Sequence, residues 1–231
     1  MINRRMFLCT TASFTLASAG AALAETACVL PTKDRQAAMT PADVIAALKA
    51  GNARFAAGMV QNCDLNAMVR ETSQGQYPIA AVVSCIDSRV PPELVFDQKI
   101  GDLFTARIAG NYVNTDIIGS LEFACKVSGS KAIVVLGHSS CGAVKGAIDK
   151  VELGNLTHVL QMIEPAIMQV APANRSSKDK ALVQQVAEKN AELTVAKILA
   201  ESPILKEMAD AGEIAVMAAM HDIATGEIRF L

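Results

Sequence analysis

Apolar residues along this chain fall into two patterns: stretches with helical spacing and short unbroken runs. Thr40 opens the first helical stretch. It can cap, Pro41 suits the first helical position, and Asp43 stands three residues after the cap. Val44, Ile45, Leu48 and Phe55 make a partial apolar stripe, which predicts a helix through residue 57 with Gly58 ending it. A second short helix is predicted over about 64–73. The segment before them, 25–39, is polar and shows no clear period.

From residue 79 the unbroken runs begin. Ile79 to Val83 predicts a buried strand, and "PPELVFD" a turn with a short helix. "DLFTARIA", 102–109, predicts a second strand, and "TDIIGSLEFACKVSG", 115–129, a helix closed by Gly129. "KAIVVLGH", 131–138, is a strand followed directly by a helix in "CGAVKGAIDKV". Further helices are predicted at about 155–170 and 177–200, a late strand at 213–222, and a short edge strand in "EIRFL" behind a turn at Thr225-Gly226. Strands separated by helices predict an α/β fold: a mainly parallel central sheet flanked by helices. The N-terminal helices are expected to pack on a partner subunit. In such sheets the working groups gather at the carboxyl ends of the strands.

Composition narrows this picture. The 231 residues fit one domain with appendages, and 52% apolar with 19% charged residues excludes a disordered chain. A net charge of -2, with no basic stripe carrying aromatics, excludes a nucleic-acid footprint. Residues 1–24 have a short basic start, a mildly apolar middle and the small-x-small end Ala22-Leu23-Ala24. Arg4-Arg5 followed by Met6-Phe7-Leu8 resembles a twin-arginine export signal, the alternative being an ordinary secretory signal with two arginines. The middle is too rich in Thr, Ser, Ala and Gly for a membrane span. The expected division is a cleaved signal at 1–24, a polar leader at 25–39 and one domain at 40–231, exported to the periplasm or beyond. Cys9 leaves with the signal, and the five cysteines that remain argue against a pure disulfide framework. Cys28 and Cys63 flank the leading helix and are candidates to pair in an exported protein, while Cys125 falls in an apolar helix.

Two strand ends carry the chemistry. "VVSCIDSR", 82–89, brings Cys85, Asp87 and Arg89, and "GHSSCG", 137–142, brings His138 and Cys141. Cys85, His138 and Cys141 are a tetrahedral zinc set with one position open, the mark of a catalytic site. Asp87 stands two residues from Cys85, so an extended strand points both to the same side. Two other readings stand beside this one. The cysteines and histidine are ordinary buried residues, or Asp87 is a permanent fourth ligand of a structural zinc. His158 reads as an ordinary partly exposed histidine, and His221 ends the late strand without an assigned role.

"CIDSRVPPE" followed downstream by "GHSSCGAVKGA" resembles the beta-class carbonic anhydrases. The similarity extends through "GDLFTARIAGNYVN" and "GSLEFA" and covers nearly all of the chain after residue 40. The resemblance implies an α/β fold, a homodimer or homotetramer, and reversible hydration of carbon dioxide to bicarbonate and a proton. It implies one zinc per chain on Cys85, His138 and Cys141, with Asp87 and Arg89 as a catalytic dyad. On that reading zinc makes hydroxide available near neutral pH, and Asp87, held ionised by Arg89, orients it. Val90 and Phe104 are candidates for the apolar lining, and the N–H of Gly142 for a donor to the product anion. In some members the aspartate swings onto zinc, a switch tied to a tryptophan that this chain lacks, so an Asp87–Arg89 pair is expected here. Hydrolysis of carbon disulfide or carbonyl sulfide on the same scaffold, and zinc binding without catalysis, are the alternatives.

Overall fold

The architecture comes from a computed structural model that describes residues 28–29, 31–171 and 173–231. The expected export signal, and part of the polar leader, lie outside these residues. Five strands form one sheet: β1 (Ala80–Ser84), β2 (Leu103–Arg107), β3 (Ala132–His138), β4 (Ala215–His221) and β5 (Ile228–Phe230). Their order is β2-β1-β3-β4-β5, with β5 antiparallel to β4 and the other pairs parallel. Every residue of β1 and β3 is buried, because helices cover both faces of the sheet. That is why these strands read as unbroken apolar runs rather than alternating ones.

The helices are α1 (Lys33–Ala38), α2 (Pro41–Ala56), α3 (Leu65–Thr72), α4 (Pro92–Val95) and α5 (Thr115–Glu122) before β3. After it come α6 (Gly142–Ile148), α7 (Gly154–Gln161), α8 (Glu164–Val170), α9 (Lys180–Glu201) and α10 (Pro203–Asp210). One core lies between the sheet and α5 to α10, built on Val83, Val135, Ile163, Val186 and Ile198. The other lies under α2, where Val44, Ile45 and Leu48 meet Val82, Val134 and Leu136.

α2 starts as its sequence dictates. Thr40 Oγ1 accepts from Asp43 N at 3.2 Å, and Asp43 Oδ2 accepts from Thr40 N at 2.9 Å, a reciprocal capping box. The expectation that the leading helices pack on a partner subunit is corrected for α2. Its apolar stripe packs within its own chain, on the side of β1 and β3 away from α5 to α10. A Cβ on Gly51 would stand 1.8 Å from Phe96 O, so only glycine lets α2 approach the end of α4 this closely. Asn52 then ties α2 to the C-terminal hairpin. Its Nδ2 donates to Val95 O at 2.9 Å and Gly226 O at 2.8 Å, and its Oδ1 accepts from Ile228 N at 2.7 Å. α3 leaves Leu65 and Val69 exposed.

Several predicted elements differ in detail. The polar leader contains α1, capped by Thr32, whose Gln36 side chain donates to Pro78 O and Ser128 O at 2.8 Å each. The helix expected to run to Gly129 ends in a π turn over Phe123–Val127, where Ser128 N donates to Phe123 O. The stretch 155–170 is two helices, because Pro165 has no N–H to continue the first. α10 was not predicted; Ser202 caps it and Pro203 opens it.

Asp97 is buried between Arg54 Nε and Lys99 Nζ, each at 2.6 Å, and accepts from Gln61 N at 3.2 Å. Burial pushes its carboxyl up, but the two cations and the N–H outweigh burial and hold it below the usual carboxylate range. Cys28 and Cys63 form a disulfide with Cα atoms 5.8 Å apart, tying the start of the described chain to the segment before α3.

Candidate metal centre

β1 and β3 are neighbours, with Ser84 level with Leu136, so Cys85 and His138 emerge at adjacent strand ends. After β3 the chain turns sharply through Ser140, whose φ is 57°, and Cys141 takes the N-cap position of α6. The ligand atoms of Cys85, His138 and Cys141 all lie within 4.8 Å of one another, and all three residues are buried.

The donor set fits a divalent metal. His138 Nδ1 lies 3.0 Å from the Ser139 carbonyl, so the proton belongs on Nδ1, donated to that oxygen. Nε2 is buried and has no hydrogen-bond partner. A buried imidazole nitrogen without a partner is costly unless something else takes its lone pair. Two sulfurs and that nitrogen match the ligands zinc prefers, with a fourth position left over. The hydrogen bond with Cys141 holds the Cys85 thiol below the ordinary range; burial opposes this, and His138 and the N–H of Gly110 assist. The same pairing, together with burial, drives the Cys141 thiol up. One thiolate is thus already favoured, and a dication would favour both.

Asp87 stands at the rim of this cluster. Arg89 grips it as a fork: Nε donates to Oδ1 at 2.9 Å and Nη2 to Oδ2 at 2.7 Å, while Arg89 N donates to Oδ1 at 3.0 Å. These bonds hold the Asp87 carboxyl far below the usual range, Arg89's side chain being the largest cause. Oδ2 lies 3.9 Å from His138 Nε2. The loop itself is clasped by Arg107, at the carboxyl end of β2, which donates to Cys85 O at 3.0 Å and Asp87 O at 2.6 Å. Sequence reasoning missed Arg107, although a charged residue ending a strand beside the site was a usable signal.

The structure brings Cys85, His138, Cys141, Asp87 and Arg89 together. Val90 follows directly, its N–H closing a turn on Asp87 O at 3.0 Å and its side chain fully buried under α2. Gly142 opens α6 with open space where a Cβ would stand. Phe104 is not brought to the cluster. It sits on β2 level with Ala81, four residues short of Cys85. There it meets Phe123 edge-on at 6.1 Å and lines a cavity of about 440 Å³ that none of the three metal-ligand candidates reaches. His221 is level with His138, buried, with neither ring nitrogen partnered, and its pKa is lowered by burial first and by His138 second. His158 is exposed on α7.

The comparisons with known proteins agree with this geometry. The carbonic anhydrase family model matches residues 80–228. Carbonic anhydrase 2 of Mycobacterium tuberculosis is 34% identical over 183 residues, covering 78% of this chain and 87% of its own. The carbonic anhydrase of Mycolicibacterium smegmatis is 37% identical over 188 residues, 79% and 89% of the two chains. Among solved structures, the β-carbonic anhydrase CafA of Aspergillus fumigatus superposes with a TM-score of 0.65 at 26% identity, over 81% of this chain and 90% of its own. One of two tetrameric β-carbonic anhydrases from Sordaria macrospora gives 0.64 at 27% identity, over 72% and 86%.

Proposed function

The chain belongs to the beta-class carbonic anhydrases, and from that premise we propose that it hydrates carbon dioxide to bicarbonate and a proton at a zinc ion held by Cys85, His138 and Cys141. The observation that carries this reading is the convergence of two buried sulfurs with a buried His138 Nε2 that has no other partner. Zinc bound there supplies the Lewis acidity that brings the pKa of water from about 15.7 toward about 7.

The chain's own residues do the rest. Asp87 stays ionised at any working pH because Arg89 grips it. An ionised carboxylate only accepts. Oδ1 is used twice by Arg89 and Oδ2 once, so Oδ2 keeps a lone pair on the side of His138 Nε2. That lone pair can accept a hydrogen bond from the attacking oxygen, and so would aim the oxygen's own lone pair at carbon. Arg107, holding Cys85 O and Asp87 O, fixes the distance between the ligand and the acceptor. The Gly142 N–H, with open space beside it, is a donor to the anionic product, whereas Val90, packed in the core under α2, has no face free for substrate. Phe104 is left without a role within one chain.

The tetrameric Sordaria relatives support an oligomeric assembly for this chain as well. Export through the twin-arginine route is part of the reading. The Arg4-Arg5 pattern supports it, as does a Cys28–Cys63 bond of the kind that persists in oxidising compartments. No helix among the described residues is long and apolar enough to cross a membrane.

Stopped-flow hydration with the purified chain, before and after metal removal by a chelator and after zinc is restored, tests the reading. Activity is expected to vanish with the metal and return with it. A chain carrying one zinc that hydrates no carbon dioxide from neutral to alkaline pH would overturn it and direct the assay to carbon disulfide.

A further inference from the structure

Asn190 is buried in the middle of α9, where its residue type does the helix no service. Asparagine is a modest helix former, and a buried amide needs partners. Its Nδ2 donates to Gly110 O at 2.7 Å, a contact between residues 80 positions apart. Gly110 donates its own N–H to Cys85 Sγ at 3.4 Å, again out of solvent.

Gly110 is the third residue of a turn closed by Asn111 N on Ile108 O at 2.9 Å, and its φ is 82°. Positive φ at that position flips the peptide before it relative to a type I turn. That is the peptide whose N–H reaches the sulfur. No side chain fits here, because a Cβ would stand 2.7 Å from Ile163 Cδ1. Glycine is otherwise the freest residue in a turn. Here its N–H is on a ligand sulfur, its carbonyl on an α9 amide, and its α-carbon against Ile163.

We propose that Asn190 is a positioning residue for the Cys85 thiolate, acting through Gly110; the inference rests on Cys85 being a metal ligand. Hydrogen bonds to a metal thiolate draw charge from sulfur and so set how much it gives the metal. The N–H and the carbonyl lie on the two peptide planes that meet at the Gly110 α-carbon, so pinning the carbonyl limits how far that α-carbon, and with it the N–H, can shift from Sγ. α9 thereby reaches the metal centre without supplying a ligand.

Cobalt(II) substitution of the full chain reads this directly. The thiolate-to-cobalt charge-transfer band in the near ultraviolet reports electron density on sulfur. Asn190→Leu removes the donor at similar volume, and Asn190→Ser removes its reach in a smaller side chain should leucine not fold. Asn190→Gln keeps the amide, and the cavity of about 260 Å³ beside Asn190, Tyr112 and Thr194 has room for one more methylene. Thr194→Val deletes the hydroxyl that donates to Asn190 O at 2.8 Å on the same helix and leaves Gly110 alone. In Asn190→Leu and Asn190→Ser the band is expected to move to lower energy, with one cobalt still bound and metal affinity about tenfold weaker. Asn190→Gln restores part of the shift, and Thr194→Val matches the wild type. An unmoved band in both donor-less variants, or an equal move in Thr194→Val, would overturn the proposal alone. A wild-type chain that takes up no cobalt would overturn the metal-centre reading with it.

Discussion

Asp87→Asn changes one atom and inverts the local hydrogen-bond logic. In the wild type, Oδ1 accepts from Arg89 Nε at 2.9 Å and Arg89 N at 3.0 Å, and Oδ2 accepts from Arg89 Nη2 at 2.7 Å. All three partners are donors. If the asparagine keeps its oxygen at the Oδ1 position, its NH₂ faces Arg89 Nη2 and presents a donor where the reaction needs an acceptor. If the amide flips, its NH₂ faces two donors instead. No orientation keeps both the grip and the free lone pair 3.9 Å from His138 Nε2. Removing one preorganised hydrogen-bonding group from a reacting atom costs roughly 10²–10³-fold in rate. Metal and substrate site persist in the variant, so a loss in that range is expected, or about 3–4 kcal/mol on the barrier. The Arg89 head is about half exposed, at 54%. Little folding stability is therefore at stake, and the loss belongs in the rate rather than in the unfolding curve. Stopped-flow hydration beside zinc content by mass spectrometry decides it. A variant with full zinc and an undiminished rate would refute the assignment of Asp87.

The remaining predictions concern the frame around the centre. Gly51→Ala forces α2 off Phe96 O, 1.8 Å from the new methyl, and is expected to lower stability by about 3 kcal/mol in thermal unfolding. Asp97→Asn leaves Arg54 and Lys99 without their buried partner and is expected to cost about 3 kcal/mol at neutral pH in urea titrations. Because the native Asp97 carboxyl is lowered, its contribution is complete above its unfolded value, near pH 4, and is lost as pH falls through the native one. Wild type and variant should therefore converge in acid. Replacing Cys28 and Cys63 together by serine frees a 35-residue separation and is expected to lower stability by up to about 4 kcal/mol while zinc content holds. Guanidinium unfolding of the wild type with and without reductant gives the same difference.

What could be read in the sequence was whatever leaves a local mark. β1 and β3 announce themselves as apolar runs, α2 by its capping box, and the metal-ligand candidates by two motifs at strand ends. α1 has too few apolar residues to show a period, and its position depends on Gln36 reaching Pro78 O; α10 does carry a signal, Ser202-Pro203 ahead of Leu205 and Met208, but it is short and stands directly behind the long α9. The break before α8 had a signal in Pro165, outweighed by the apolar spacing around it. Gly110 and Asn190 left no mark that spacing could reveal, and Arg107 only its charge at the end of a strand. Each acts through a contact with a residue far along the chain, and such pairings exist only once the sheet has formed.

Burial on both faces of β1 and β3 has a consequence for how the sheet finds its alignment. A strand with one wet face is held in register by alternation, since a one-residue slip turns its apolar row to water. β1 and β3 have no such guard: every position is buried, and a slip would exchange one apolar row for another. The ligand trio distinguishes the alignments. Only when Ser84 lies level with Leu136 do Cys85, His138 and Cys141 come within a single coordination sphere. A metal bound by all three therefore acts as a checksum on the central strand pair, favouring the one pairing that closes the site over its apolar near-equivalents.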